Sequence, residues 1–363
     1  MKQTPLCGRG AGFNPRNRFE QISVERAPDD IAEYFEDPEP DRKVLTKFYQ
    51  DHTRSILAKN ESPDVGFAYS INPYRGCEHG CIYCYARPSH EYLGFSSGLD
   101  FESKIVVKQN AAALLQASFQ QKSWIPQVIL LSGETDCYQP VERTLKLTRE
   151  CLKVFLRFRN PVSIITKNAL IQRDIDILKE LAERSLVSAT MSVTTLDESL
   201  ARRMEPRTSS PTKRFETLQV LASNEIPVAV NIAPVIPGLN DHEIPQIVRR
   251  VSECGVPRVN FSMLRLPYAV KDLFLDWLKR ELPDKAAKIE SRIRSVRDGK
   301  LTNSEFGKRM SGEGKIAEAI EQLFKSAVMR YGLNTMTLKL ATNLFLRDRN
   351  QIGLFADEGP SRA

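Results

Sequence analysis

Three cysteines that fall within eight residues are the most direct sign of chemistry in this sequence. Cys77, Cys81 and Cys84 have the spacing Cys-x3-Cys-x2-Cys, in a loop that Gly76 and Gly80 free from the usual backbone restrictions. Three thiolates at this spacing can bind one face of a cubane cluster, whereas full protein ligation of a [4Fe–4S] cluster takes four cysteines. One iron would then stay open to a small chelating molecule, which is the property of a catalytic cluster rather than of an electron carrier.

A zinc site is the alternative interpretation of the same cysteines. With His79 or His90 as a fourth ligand they would form a tetrahedral Cys3His set, and the protein would be a non-enzymatic zinc-binding module. The spacing differs from the paired knuckles of zinc ribbons, and no second cysteine pair follows at a ribbon spacing. The spacing therefore favours the iron–sulfur cluster.

The segment 72–87 resembles the signature of the radical S-adenosylmethionine (radical SAM) superfamily, in which Cys-x3-Cys-x-aromatic-Cys follows the first strand of a partial (β/α)6 barrel. Tyr83 is the aromatic residue of this pattern. The resemblance implies two cofactors, a [4Fe–4S] cluster held by Cys77, Cys81 and Cys84 and SAM bound at its open iron. It also implies a one-electron reductant of flavodoxin or ferredoxin type, reductive cleavage of SAM, and a 5′-deoxyadenosyl radical that abstracts hydrogen from a substrate.

Polar residues follow three successive predicted strands, where a cofactor at the carboxyl ends of the strands would meet them. The residues expected to bind SAM are Tyr83 from the cysteine loop, Glu134, Thr135 and Asp136 after the second strand, Lys167 after the third, and Ser192 with Thr194 at the fourth. Lys167 is placed to pair with a carboxylate, and the acidic groups can accept hydrogen bonds from the SAM ammonium or ribose. Taken singly, each residue could equally be a helix cap or a turn residue.

Further motifs are similar to those of the superfamily branch that contains spore photoproduct lyase, also labelled DNA repair photolyase-like. They are Thr135–Glu142, Thr166–Asn168, Glu205–Arg207 and Pro234–Gly238, and the stretch 72–100 resembles a bacterial subgroup of unknown substrate. The likeness runs from about residue 62 to residue 266.

This branch implies a cysteine near the second strand end that returns hydrogen to the substrate, and Cys137 is the cysteine at that place. Its offset, directly after Asp136, does not clearly match the family position, and a buried cysteine that fills an apolar gap is the alternative. Tyr138 and Tyr85 are candidates for a radical relay or for aromatic walls that stack on adenine. Cys137 and Tyr138 are therefore the candidate catalytic residues.

The elements that must position these residues follow from the alternation of short apolar runs with helical periodicity. Strands are predicted at 66–71, 128–132, 162–166, 187–193, 228–235 and 258–264, and helices at 111–121, 142–158, 173–184, 211–223 and 244–254. Strands that alternate with helices predict βαβ units and a parallel sheet. The expected fold class is α/β, a partial (β/α)6 TIM-like barrel or an open sheet, with its chemistry at the carboxyl ends of the strands.

Four regions are expected along the chain. Residues 1–60 form a polar, partly disordered N-terminal arm with one helix near 44–58, and residues 62–266 form the radical SAM core. Residues 267–340 form a basic helical C-terminal appendage, and residues 341–363 form a tail that frays.

Composition and charge exclude some classes of protein. The 363 residues are 41% hydrophobic and 27% charged, no apolar run approaches the roughly 18 residues that span a bilayer, and the start lacks a secretory signal. We therefore expect a cytoplasmic protein with no membrane partner. The net charge is +7, of which residues 279–315 carry +5 from 11 basic and 6 acidic residues. Such a stretch either attracts nucleic acid or is a solvated helical face.

Three hypotheses for the function follow from these features. The first is a radical SAM enzyme that acts on a nucleic-acid base or another anionic substrate, for which the basic stretch is the additional argument. The second keeps the radical chemistry but has a peptide or a small metabolite as substrate. The third is the non-enzymatic zinc-binding module.

Overall fold

A computed structural model describes residues 8–19 and 44–347 of the protein. The strands are β1 (Lys47–Gln50), β2 (Leu57–Lys59), β3 (Tyr69–Ile71), β4 (Tyr74–Arg75), β5 (Lys104–Val107), β6 (Ile129–Leu131), β7 (Val162–Thr166), β8 (Val187–Val193), β9 (Val228–Val235) and β10 (Val259–Met263). The α-helices are α1 (Leu99–Ser103), α2 (Ala111–Gln120), α3 (Glu142–Leu145), α4 (Leu147–Phe158), α5 (Ile175–Ala182), α6 (Glu198–Met204), α7 (Pro211–Ser223), α8 (Ile244–Glu253), α9 (Val270–Glu281), α10 (Pro283–Ser295) and α11 (Gly314–Arg330). Short 3-10 helices lie at Arg87–Leu93, Ala169–Asp174 and Asp241–Glu243.

The main sheet has the strand order β10–β9–β8–β7–β6–β3–β2. Its neighbours from β3 to β10 pair in parallel, and β2 joins the edge of β3 in the antiparallel direction. Parallel strands are buried on both faces, and β8 is buried at six of its seven positions although serine and threonine alternate with its apolar residues. Within the described residues β2 and β10 are the two edges, so the sheet is the expected partial barrel and is not closed.

Helices α2 and α4 pack together through buried aromatic side chains. In α4 the side chains of Cys151, Phe155 and Phe158 recur at three- and four-residue spacing and are fully buried. The rings of Phe119 in α2 and Phe155 in α4 lie 5.6 Å apart, edge to face. Each such aromatic ring contributes about 2–3 kcal/mol through burial.

The predicted elements agree closely with the structure in the core and less well at the amino-terminal side. The bounds of β7, β8, β9 and α7 are those predicted, and α9 to α11 lie within residues 267–340. The helix predicted at 142–158 is interrupted at Lys146, whose φ of 56° is left-handed. None of the helices in the described part of the chain combines the length and apolar character needed to span a bilayer.

The helix expected near 44–58 is wrong. The segment contains β1 and β2 instead, and β1 pairs in parallel with β5 so that Phe48 lies opposite Ile105. Pairing with a neighbouring strand outweighs the local helical pattern here. Residues 1–7, 20–43 and 348–363 lie outside the described residues, so the disorder expected for parts of the arm and the tail stays a prediction.

Candidate active site at the strand ends

One cavity of about 570 Å³ opens at the carboxyl ends of the parallel strands. Its wall includes residues from the cysteine loop, from the ends of β6 to β10, and from two loops at the sheet edges. The residues expected from the sequence that line it are Cys77, Cys81, Cys84, Tyr83, Tyr85, Glu134, Thr135, Asp136, Lys167 and Ser192. The fold therefore brings the cysteine loop and the strand-end groups to one enclosed space.

The cysteine loop follows β3 and β4 and is held by a buried arginine. Gly76 and Gly80 adopt φ angles of 75° and 66°, which side-chain-bearing residues rarely adopt. The guanidinium of Arg87 donates to the carbonyl oxygens of Cys81 at 3.0 Å and Gly80 at 3.3 Å, and it also pairs with the buried carboxylate of Glu102. The sequence offered no signal for this role of Arg87 beyond its closeness to the motif.

The three thiols need a positively charged partner to act as thiolates. Burial raises the pKa of Cys77, Cys81 and Cys84 above the ordinary thiol value, and neighbouring acidic groups add to the shift of Cys77 and Cys81. An iron–sulfur cluster supplies the positive charge that such buried thiolates require. The donor set and its position in one cavity wall therefore fit the [4Fe–4S] cluster that the motif implies.

The histidines proposed as zinc ligands have other surroundings. The Nδ1 atom of His79 lies 3.4 Å from the carboxylate of Asp136, and its Nε2 atom lies 3.1 Å from the side-chain amide of Asn168. His90 is fully buried between the rings of Phe95 and Phe101. Among the described residues no three His, Cys, Asp or Glu side chains lie close enough together to hold a single metal ion.

Asp136 is the centre of the hydrogen bonds that shape the end of β6. Its carboxylate accepts from the hydroxyl of Thr166 at 2.8 Å and from the backbone N–H groups of Lys167 and Tyr138. Burial alone would raise the pKa of Asp136, but the charge and hydrogen bond of His79 and these backbone donors lower it. The acid that we expect at the SAM site is thus held ionised by the protein itself.

Lys167 reaches the cavity through a second buried network. Its ammonium lies 3.2 Å from Glu205 and donates to the Thr194 hydroxyl at 3.1 Å and to the Ala233 carbonyl at 3.0 Å. Burial and the charge of Arg214 lower the pKa of Lys167 to about 8. Glu205 also accepts from Arg214 and from the hydroxyl of Tyr83, the aromatic residue of the cysteine motif.

The two candidate catalytic residues are not on the cavity wall. Cys137 is fully buried in the main core, where its N–H donates to Ser132 and its carbonyl accepts from Thr148. Tyr138 is fully buried as well, and its hydroxyl donates to Asp174 at 3.1 Å. The hydrogen-donor role considered for Cys137 and the relay role considered for Tyr138 therefore have no support in this geometry, because neither side chain faces the cavity.

Several residues of the wall were not expected from the sequence. Arg265 follows β10, and Arg309 and Met310 come from the loop between α10 and α11. Arg265 directly follows the sixth predicted strand, and this position alone would have indicated that it lies near the cavity. The approach of the loop to the cavity depends on long-range packing, since Met263 donates its N–H to the carbonyl of Met310 at 2.9 Å.

Residues 8–19, which we call the strap, cover the outer side of the cysteine loop. The N–H groups of Gly10 and Ala11 donate to the carboxylate of Glu102 at 3.0 and 2.9 Å. The backbone at Gly10 packs so tightly on Gly80 that a Cβ atom at position 10 would lie 2.0 Å from the Gly80 carbonyl oxygen. The strap and Arg87 therefore hold the cysteine loop through the same carboxylate.

The chain is similar to proteins of a known superfamily. A model of the radical SAM superfamily matches residues 71–251. The chain belongs to the radical SAM superfamily and is a radical SAM enzyme.

Its similar relatives include an uncharacterized protein of Mycobacterium tuberculosis strain H37Rv, 34% identical over 232 residues, which are 62% of this chain and 68% of the relative. Another is an uncharacterized protein of Methanocaldococcus jannaschii, 34% identical over 184 residues, 51% of this chain and 66% of the relative. A solved structure of a spore photoproduct lyase variant with bound AdoMet and dinucleoside spore photoproduct has a TM-score of 0.55 at 14% identity and 78% coverage of each chain. The likeness to that structure concerns the fold.

Proposed function

We propose that this enzyme binds a [4Fe–4S] cluster and SAM in the strand-end cavity and abstracts hydrogen from a nucleic-acid base. The observation that carries the proposal is the presence of three motif cysteines and the strand-end polar groups on the wall of one cavity. When bound there, the cluster and SAM would supply a 5′-deoxyadenosyl radical. The zinc-binding module is not retained, since the chain is a radical SAM enzyme.

The residues of the chain have separate roles in this proposal. Cys77, Cys81 and Cys84 would hold three irons, and Arg87 keeps their loop in shape through the carbonyls of Cys81 and Gly80. The acidic and hydroxyl groups at the strand ends, together with Lys167, would orient SAM. SAM and substrate bound in the cavity would displace water from it, which would protect a reactive intermediate from side reactions.

The argument for a nucleic-acid substrate is based on an exposed aromatic residue at the mouth of the cavity. Tyr85 is 50% exposed there, and its hydroxyl donates to the carbonyl of Gly133 at 2.9 Å, which fixes the ring. An exposed, fixed aromatic ring is a surface on which a nucleobase can stack. The spore photoproduct lyase variant with a similar fold binds a dinucleoside photoproduct, which supports the same substrate class.

The basic appendage contributes less to this argument than its net charge suggests. Arg280, Arg294 and Lys308 each have a carboxylate neighbour within 3.1 Å, so part of the excess charge is locally neutralised. We propose a one-electron reductant of flavodoxin or ferredoxin type as partner and a cytoplasmic location, both as consequences of the radical chemistry.

The test is the cleavage of SAM by the anaerobically reconstituted protein after reduction with dithionite. The wild type should bind iron and sulfide and release 5′-deoxyadenosine. Single replacements of Cys77, Cys81 or Cys84 by Ala should abolish both cluster assembly and cleavage. Cys254→Ala is the matched control, because this thiol is half-buried and lies outside the cavity. Wild-type protein that assembles no iron–sulfur cluster would overturn the proposal.

The nucleic-acid substrate has a test of its own. Offered a single-stranded oligonucleotide labelled with deuterium on its bases, the enzyme should transfer deuterium to 5′-deoxyadenosine. Binding of the oligonucleotide should weaken steeply with salt, because phosphate contacts release counterions. SAM cleavage without any deuterium transfer, together with salt-independent binding, would favour a peptide or small metabolite instead.

A further inference from the structure

Three cationic side chains of Lys or Arg line the cavity within the described residues: Lys167, Arg265 and Arg309. Two of them are committed to protein carboxylates. Lys167 is paired with Glu205, and Arg309 is paired with Asp64 and also donates to the hydroxyl of Ser62. The charges of Lys167 and Arg309 are therefore already paired within the protein.

Arg265, unlike Lys167 and Arg309, has no ion pair with a carboxylate of the described residues. Its Nη1 atom lies 3.6 Å from the sulfur of Met310, and its guanidinium lies 5.2 Å from the centre of the Tyr85 ring. Within the described ranges no carboxylate lies within ion-pair distance of it. Burial lowers the pKa of Arg265, and the nearby charge of Arg309 lowers it further, while Tyr85 and the more distant carboxylate of Asp64 oppose the shift only in part.

An unpaired cation that has lost part of its hydration is unfavourable in a folded protein. Elsewhere in the described residues the fully buried guanidinium groups donate to oxygen acceptors, and Arg297 donates to the backbone carbonyls of Leu264, Lys308 and Arg309 rather than to a carboxylate. Arg87 is paired with Glu102, and Arg214 is paired with Glu205. Arg265 departs from that pattern at the one place where a ligand from the cavity can supply the missing anion.

We propose that Arg265 binds an oxyanion of the substrate, either a phosphate or a carboxylate group. The planar guanidinium can donate two parallel hydrogen bonds to such a group, and the Tyr85 ring beside it would contact the adjoining part of the substrate. The proposal deepens the proposed function, because it rests on that function's use of this cavity for SAM and substrate. Arg265 would set the position of the substrate relative to the cluster end of the cavity.

The experiment uses the reconstituted, SAM-bound enzyme and the two simplest oxyanions as probes. Inorganic phosphate and acetate are titrated separately by calorimetry at constant ionic strength, with chloride as the balancing anion. The wild type should show saturable binding. Arg265→Gln should weaken it at least tenfold, and Arg265→Lys, which keeps the charge but loses the planar pair of donors, should weaken it less. Tighter binding of phosphate than of acetate assigns a phosphate group, and the reverse order assigns a carboxylate.

Arg258→Gln is the matched control. Arg258 precedes β10, at the opposite end of the strand that Arg265 follows, and burial lowers its pKa as well, but it does not line the cavity. This variant should bind both anions as the wild type does.

Two outcomes would overturn the role of Arg265. One is the absence of saturable binding to the wild type, or equal binding to Arg265→Gln. The other is a loss of SAM affinity in Arg265→Gln with unchanged anion binding, because Arg265 would then serve the cofactor. Reductive cleavage of SAM by the wild type is measured in parallel, so that failure of the proposed function is distinguishable from failure of the anion site.

Discussion

At the scale of single residues, the site is built from charges that the protein pairs before any ligand arrives. Asp136 is held ionised by His79 and by backbone donors, and Lys167 is bound to Glu205. Such pre-arranged groups cost little reorganisation when a ligand binds. Lys167 can form an ion pair with Glu205 or with the carboxylate of SAM, and a substitution distinguishes these two roles.

Replacement of Lys167 by Ala tests its duty toward SAM. If its ammonium pairs with the SAM carboxylate, Lys167→Ala should weaken SAM binding about tenfold, equivalent to about 1.4 kcal/mol, while iron content and cluster absorbance stay unchanged. Equilibrium dialysis with labelled SAM under anaerobic conditions measures this. Lys153→Ala, an exposed change on α4, is the control. Wild-type SAM affinity in Lys167→Ala would show that the lysine serves Glu205 alone.

His90 should make the stability of the fold depend on pH. Its ring is fully buried, and burial lowers its pKa to about 4 although the charge of Asp100 and the backbone of Lys104 and Asp100 oppose the shift. Between an unfolded-state pKa of about 6.5 and this value the unfolded chain binds more protons, so stability is lost as the pH falls. At pH 5 the loss is about 2 kcal/mol.

His90→Phe should remove this part of the pH dependence, because a phenyl ring keeps the contacts with Phe95 and Phe101 but cannot be protonated. Anaerobic urea unfolding at pH 7.5 and pH 5 gives the comparison. The exposed His242, changed to Asn, is the control. Equal losses in His90→Phe and the wild type would mean that other groups carry the acid sensitivity.

At the scale of elements, the sequence predicted what depends on local pattern. The strands β7, β8 and β9 were found at their bounds because each is a short run rich in Val, Ile and other strand-favouring residues between helical segments, and the cysteine loop was found because its spacing is specific. The strand β1 was missed because its partner β5 is remote in sequence. The strand β2 pairs with the next strand, β3, but is only three residues long and was included in the predicted helix. The strap was missed for the same reason as β1: nothing in the local pattern of residues 8–19 indicates that Gly10 packs on Gly80.

The strap should stabilise the cysteine loop. Gly10→Ala would place a methyl group on the carbonyl oxygen of Gly80, and because both contacts are backbone, the strap has to move. We expect a loss of about 1–3 kcal/mol in stability and several-fold faster bleaching of the reconstituted cluster in air, followed by visible absorbance. In the control Gly12→Ala the added methyl meets the mobile end of the Arg280 side chain. Bleaching of Gly10→Ala at the rate of Gly12→Ala would argue against this role.

At the scale of the whole molecule, the sheet is open, and contacts between loops from its two edges complete the cavity wall. One edge carries the loop that contains Asp64, before β3, and beyond the other edge the loop after α10 returns to β10. Asp64 accepts from the N–H of Gly307 at 2.7 Å and pairs with Arg309. We call Asp64, Gly307 and Arg309 the latch. Its partners are more than 240 residues apart, so no periodicity or motif in the sequence could indicate it.

The latch should hold the loop at 305–312 against the cavity. The Gly307 N–H and the Arg309 guanidinium lower the pKa of Asp64 although its desolvation opposes them. The stabilisation is therefore present above the ordinary aspartate pKa and is lost only as the pH falls through the lowered value. At neutral pH, removal of the charge at constant shape is the direct way to open the latch.

Asp64→Asn should increase amide hydrogen exchange in residues 305–312 several-fold, because an amide accepts more weakly from Gly307 and cannot pair with Arg309 as an ion. Exchange in β7 and β8 should be unchanged, since these strands are in the core. Asp298→Asn, an exposed change in the same appendage, is the control and should leave the loop protected. Unchanged exchange in Asp64→Asn would mean that the hydrogen bond from Met263 to Met310 suffices to hold the loop. The cavity wall would then depend on the end of β10 alone rather than on a contact between the two edges of the sheet.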